Sequence, residues 1–245
     1  LNTTIEQILN HRSIRQFKDK KLSSEQIETI ISAGQAASTS SYYQAYSIIG
    51  ITDPEKKQAL KEVSGQQYVE NNGHLFVFCA DLQRIYQSQP DEIQSAMRTN
   101  LQSTEFFMMS VIDATLAAQN CALASESMGL GICYLGSLRN DIQQVNDLLE
   151  LPYYVTPLFG LAVGVPKEDT DKKPRLPFQS IYHENVYVNN QEAVEAFDET
   201  TKEYYQLRGS NTREDTWSSQ IGRKLKTPMR MDVASFIQSK NLNKH

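Results

Sequence analysis

The three cysteines of this 245-residue chain, Cys79, Cys121 and Cys133, are odd in number and form no C-x-x-C pair. That excludes a disulfide framework and a cysteine-rich zinc site, and it predicts reduced, buried thiols. A Gly-x-Gly-x-x-Gly dinucleotide fingerprint, a nucleophile elbow and metal-ligand spacing are also missing. The four histidines, His11, His74, His183 and His245, are scattered without an obvious triad. If the chain is an enzyme, a cofactor must therefore bring the chemistry, with the protein supplying orientation and electrostatics. Positive charge is in deficit: a net charge of −5 and a pI near 5.5 argue against nucleic acid as a principal partner. No charged n-region with a following apolar run opens the chain. The most apolar region, around Val111 to Leu130, is interrupted by Asp113, Gln119, Asn120 and Glu126. A soluble cytoplasmic protein with no membrane partner is the expectation.

No linker-like stretch or internal repeat divides the sequence, and its length suits one domain. Thr3 or Thr4 can cap a short helix carrying Ile5, Ile8 and Leu9. Ser23 with Gln26 forms a capping-box pattern before a second helix ending near Ala37. Tyr46 to Ile51 reads as a strand, and the apolar run from His74 to Ala80 as a buried central one. From about Glu105 to Met128 a long helix rich in small residues runs to a stop at Gly129-Leu130-Gly131. Ile132 to Leu135 and Leu158 to Val165 read as further strands, with a brief helix from Asp141 to Leu149 between them. After Tyr187 the chain turns polar and helical, closing on a helix from Val233 to Ser239. The pattern is α+β, helices around a mostly antiparallel sheet, with a C-terminal helical excursion over residues 186–245.

His11-Arg12-Ser13-Ile14-Arg15 places two guanidinium groups, an imidazole and a hydroxyl within five residues, a composition suited to an anion. A second cationic stretch, Lys173-Pro174-Arg175-Leu176-Pro177, is held extended by its prolines, so Lys173 and Arg175 can point the same way. With these, Ala37-Ser38-Thr39-Ser40-Ser41 and Gln44, Gly65-Gln66-Gln67, Ser127-Met128-Gly129-Leu130-Gly131, Leu138-Arg139-Asn140 and Arg208-Gly209-Ser210-Asn211-Thr212-Arg213 before Trp217 follow in an order and spacing that resemble the flavin-dependent nitroreductase and NADPH:FMN oxidoreductase family, in its NADPH-preferring branch. Thr39 within the serine run and Gln66 before Gln67 depart from the family pattern.

The resemblance implies a nitroreductase-like fold and a homodimer that packs on its central helix, with the C-terminal excursion embracing the partner subunit. It implies FMN as cofactor, its phosphate met by His11, Arg12 and Ser13 from one end and by Lys173 and Arg175 from the other. Arg15 would stand at the N1–C2 carbonyl edge of the flavin, where charge gathers on reduction. Gln67, Ser40 and Ser41 would bond the ring edge or ribityl hydroxyls, and the backbone of Tyr134, Leu135, Gly136 and Ser137 would lie against the ring. Arg208 and Arg213 would meet the 2′-phosphate of NADPH. No side chain is assigned as catalytic. The activity implied is ping-pong two-electron reduction of nitroaromatics, quinones or free flavin, with nitro groups going to nitroso and hydroxylamine products. A dedicated NADPH:FMN reductase and a non-catalytic flavin-binding protein are the alternatives.

Overall fold

The apolar run beginning at His74 forms a strand buried at every position, and the sheet of this computed structural model is built outward from it. The structure describes residues 1–209 and 212–245; Ser210 and Asn211, inside the Arg208–Arg213 motif, lie outside the described residues. In chain order the elements are α1 (Thr3–Leu9), α2 (Ser24–Gln35), β1 (Tyr46–Ile51), α3 (Pro54–Ser64), β2 (His74–Asp81), α4 (Gln83–Gln87), α5 (Asp91–Leu101), α6 (Thr104–Ser127), β3 (Gly131–Leu135), α7 (Ile142–Leu148), β4 (Val155–Gly164), α8 (Gln191–Leu207), α9 (Trp217–Leu225) and α10 (Val233–Ser239). The strands order β1-β2-β4-β3, every pair antiparallel. Alternation along β2 sorts the core into two layers. Leu75, Val77 and Cys79 pack with Leu60 of α3 and Val145 of α7, while Phe76 and Phe78 pack with Ile30 of α2 and with Ala118 and Cys121 of α6.

Contacts divide the chain into two compact units, residues 1–170 with 230–245, and residues 171–229. The excursion therefore begins earlier than residue 186, and its last helix, α10, belongs to the first unit. Local caps differ in detail: the side chain of Asn2, not a threonine, accepts the Ile5 N–H at 3.0 Å, whereas the Ser23–Gln26 capping box forms as read. The helix α5 has no counterpart in the sequence reading.

By length and composition α6 could cross a membrane. Here it is the core helix, with Ala114, Ala117, Ala118, Cys121 and Ala122 buried, and its small side chains let α2 approach. A Cβ added to Gly34 of α2 would lie 2.5 Å from the Cys121 sulfur. The outward side of α6 carries Met108, Ile112 and Leu116, 51, 48 and 44% exposed, an unpaired apolar stripe at helical spacing.

His74 opens β2 with its ring in the space left by Gly50, where a Cβ would sit 2.8 Å from Nε2, and tilted against the Phe76 ring with centroids 4.4 Å apart. Burial, with help from Lys57, pushes its pKa from 6.5 down to about 4. The native state thus binds fewer protons than the unfolded one between these values. The neutral ring's contribution is fully present above pH 6.5 and is lost as pH falls toward 4, by roughly 2–3 kcal/mol. Urea titrations at pH 7 and pH 4.5 are expected to show this loss in the wild type and a smaller one in His74→Leu; equal losses would assign the acid sensitivity elsewhere.

Candidate functional site

The segment from His11 to Phe17 docks along β3 because a side chain is missing there. Gly131 leaves the hole that Ile14 fills; a Cβ on Gly131 would come within 2.6 Å of Ile14 Cγ1. Ile14 then donates its backbone N–H to the Ile132 carbonyl at 2.9 Å, with a parallel bridge between Ser13 and Ile132. Phe17 bridges to Pro166, and Lys18 donates to the Val165 carbonyl. An extended segment in that register presents alternate residues to opposite sides.

The two sides differ chemically. Ser13 and Arg15 face Cys133 and Tyr68: the Arg15 guanidinium and the Cys133 thiol both lie beside the Tyr68 hydroxyl, and Ser13 lies beside the same thiol. Burial pushes the Cys133 thiol up, and the Arg15 charge draws it back in part. Among the described residues no carboxylate pairs with Arg15. Arg12 and Ile14 instead line a cleft of about 410 Å³ shared with Glu126, Glu168 and Asp169. Arg12 is paired with Asp169 there, Nη2 to Oδ1 at 2.5 Å and Nε to Oδ1 at 2.7 Å. His11 Nδ1 lies 2.6 Å from Glu126 Oε1. The structure thus separates the three groups that the sequence reading gathers on one anion: His11 and Arg12 each hold a carboxylate, and Ser13 belongs with Arg15.

Beside this segment β3 ends at Tyr134 and Leu135. The Tyr134 side chain turns toward α6, its hydroxyl 3.4 Å from Gln119 Oε1 and its ring edge-on to Phe159 at 5.7 Å, and burial raises its pKa. Leu135 is buried in the core. Gly136 and Ser137 begin a 3-10 turn, Gly136–Asp141. The space that a Cβ on Gly136 would occupy lies 3.2 Å from the guanidinium of Arg139, which donates to the Leu158 carbonyl. Its lack of a side chain leaves room for Arg139 at this point. Gln67 is exposed at the start of a second 3-10 turn, Gln67–Val69, which brings Tyr68 to Arg15.

The Ser40–Ser41 loop is built by a residue the sequence reading treats only as an interruption in an apolar helix. Asp113 of α6 is wholly buried and accepts the backbone N–H of Ser40 at 2.9 Å and of Ala45 at 3.1 Å. Between those anchors Ser41, Tyr42 and Gln44 take positive φ, a conformation that costs a non-glycine residue and needs such anchoring.

In the second unit Lys173 and Arg175 lie on an exposed stretch without regular secondary structure, with Arg175 donating to the Lys173 carbonyl at 3.3 Å. Arg213 lies 4.1 Å over the Tyr205 ring, and Arg208 is 5.6 Å from Tyr204 and 5.9 Å from Tyr205. The Arg208 Nε is buried without a hydrogen-bond partner among the described residues. Tyr205, Asp215, Gln220 and Arg223, which support Arg213, are missed by the sequence reading because they come from separate helices and a loop. Among the described residues no group of three His, Cys, Asp or Glu side chains gathers to hold a metal ion.

Comparison with known proteins agrees with this architecture. The Nitroreductase family profile matches residues 8–165, and the profile for the Nitroreductase family, C-terminal domain, matches residues 173–245. Over 250 aligned residues, all of both chains, the sequence is 51% identical to FMN reductase (NADPH) of Bacillus subtilis strain 168. It is 48% identical to an NADPH-dependent oxidoreductase of Staphylococcus haemolyticus over 96% of this chain and 95% of that one. A solved nitroreductase from B. subtilis superposes with a TM-score of 0.95 at 50% identity, covering 99% of this chain and all of the other. The NADPH:FMN oxidoreductase of Vibrio harveyi, solved with NAD+, gives 0.89 at 41% identity over the whole of both chains. With both profiles in register and the fold matched end to end, this chain belongs to the nitroreductase family.

Proposed function

We propose that this chain is an NADPH-dependent oxidoreductase that holds FMN non-covalently and delivers electron pairs to nitroaromatics, quinones or free flavin. The observation that carries the reading is Arg15. It stands beside the end of β3 near the Tyr68 phenol, and no carboxylate among the described residues pairs with it, so its charge is free to meet an anion. The residues present fit FMN on this side: a free cation, the Ser13 hydroxyl and the exposed Gln67 amide lie near an edge of backbone. When bound, FMN supplies the two-electron chemistry, which the protein's own side chains lack.

The roles of the chain's residues follow from their chemistry. Arg15 stabilises negative charge gathering at the N1–C2 carbonyl edge, which favours hydride acceptance. Arg12 meets the phosphate by exchanging it for the Asp169 carboxylate; the Asp169 side chain is 78% exposed, and a surface pair of this kind holds by only about 0–1 kcal/mol. His11 adjoins it on the cleft side, Ser13 stays with Arg15 on the other side of the segment to serve the flavin there, and Lys173 and Arg175 add further cations. Gln67, Ser40 and Ser41 serve the ring edge and ribityl chain, and the backbone of Tyr134, Leu135, Gly136 and Ser137 serves the ring face. Arg208 and Arg213 bind the 2′-phosphate of NADPH, whose dianionic charge a guanidinium meets bidentately. Donor and acceptor use the same open face in turn, so the kinetics are ping-pong.

The chain works as a homodimer in the cytoplasm, and the apolar stripe of Met108, Ile112 and Leu116 on α6 supports the dimer. In this arrangement residues 171–229 pack on the partner subunit.

The purified protein is expected to be yellow, to bleach with NADPH under anaerobic conditions and to release FMN on denaturation. Recovery of FAD or of no flavin overturns the reading. Arg12→Ala is expected to weaken FMN binding about 10–100-fold through the loss of one charge-assisted contact. Unchanged flavin retention on dilution would remove Arg12 from the site.

A further inference from the structure

The guanidinium of Arg213 is held on three sides by side chains of the second unit. Its Nη2 donates to Gln220 Oε1 at 2.8 Å, its face lies 4.1 Å over the Tyr205 ring, and its Nε is 3.6 Å from Asp215 Oδ2. Gln220 cannot turn away, because its oxygen also accepts the Tyr205 hydroxyl at 3.2 Å while its amide donates to the Thr216 carbonyl at 3.0 Å. Asp215, whose side chain is 5% exposed, is already engaged by a second cation. Arg223, one α9 turn beyond Gln220, meets it with two bonds, Nη1 to Oδ1 at 3.2 Å and Nη2 to Oδ2 at 2.7 Å. The Arg223 bonds are the foremost cause holding the Asp215 carboxyl below its usual range.

Two guanidinium groups on one carboxylate leave one net positive charge. The bidentate fork of Arg223 takes the carboxylate, and Arg213 keeps only the longer Nε approach. Its charge is therefore fixed in place without being neutralised, which is the state an incoming phosphate needs. Take Arg223 away and Asp215 has no other strong partner in this group, so it closes onto Arg213 and cancels the charge.

We infer that Arg223 and Asp215, which need not touch the nucleotide, are positioning residues that keep Arg213 aimed and charged and so set the preference for NADPH over NADH. The inference rests on the reading of Arg213 as a ligand of the 2′-phosphate. Its signature is compensation. Arg223→Ala raises the KM for NADPH about tenfold, the loss of roughly one charge-assisted contact, while kcat with either nucleotide and the KM for NADH stay within about twofold. Adding Asp215→Asn to Arg223→Ala removes the carboxylate that captures Arg213 and lowers the KM again, and Arg223→Lys, which keeps a cation on Asp215, stays near wild type.

Steady-state kinetics of the flavin-loaded protein with both nucleotides test this in four variants. An Arg213→Ala protein with an unchanged NADPH to NADH ratio overturns the reading of Arg213 itself. An Arg213→Ala protein that loses the preference beside an Arg223→Ala protein that keeps it overturns the positioning role alone. Equal losses with both nucleotides in Arg223→Ala, not reversed by Asp215→Asn, also overturn it, because that pattern belongs to a residue needed only for folding.

Discussion

Replacing Asp113 with leucine is expected to destabilise the protein by about 2–4 kcal/mol and to release the Ser40–Ser41 loop from its anchor. The side chain is fully buried and its two oxygens accept the backbone N–H groups of Ser40 and Ala45. An apolar replacement leaves two donors without partners in a place water reaches poorly, at about 1–3 kcal/mol for each group that stays buried. Three of the four residues between these donors, Ser41, Tyr42 and Gln44, take positive φ, so the loop has little reason of its own to keep its shape once untied. Asp113→Asn, which keeps the shape but only one acceptor oxygen, is expected to fall between the two. Urea unfolding at constant m-value measures the effect. A change under about 0.5 kcal/mol in Asp113→Leu, the size of an ordinary surface substitution, would show that the loop holds itself.

Gly131→Val is expected to unseat the whole segment from His11 to Phe17. A Cβ at this position would lie 2.6, 2.8 and 3.0 Å from three atoms of Ile14, closer than carbon atoms pack. Ile14 is 5% exposed and carries the Ile132 hydrogen bond that sets the segment's register. Overpacking of this kind costs about 1–3 kcal/mol, and here relief by moving the segment would carry Ser13 and Arg15 away from Tyr68 and Cys133. Loss of bound FMN should therefore accompany the loss of stability. Ile14→Ala opens the space that valine needs, so the double variant is expected to recover part of both; thermal melts and flavin content across the four proteins give the coupling. Strictly additive losses would mean that Gly131 and Ile14 act on the fold independently.

Much of this protein was legible along the chain because the deciding signals are local. The apolar run at β2, the Ser23–Gln26 box, the small-residue helix α6 stopped by glycine, and the α+β order all depend on residues within a few positions of one another. The family motifs are local in the same sense, which is why the family could be recognised from them. What the sequence could not supply is which residues stand opposite each other after long-range pairing. His11-Arg12-Ser13 looks like one anion site on paper. Only the register of that segment on β3, set by Ile14 filling the hole at Gly131, places Arg12 on the side of Asp169 and Ser13 with Arg15 on the side of Tyr68 and Cys133. Likewise Asp113 was visible as a polar break in an apolar helix, yet its purpose lies 73 and 68 residues away at Ser40 and Ala45. Local patterning determined the strands and the helices, and the ordered motifs carried the family resemblance; the partner of each charge was decided by tertiary structure, because electrostatic and hydrogen-bonding energies depend on distances that sequence neighbours do not set.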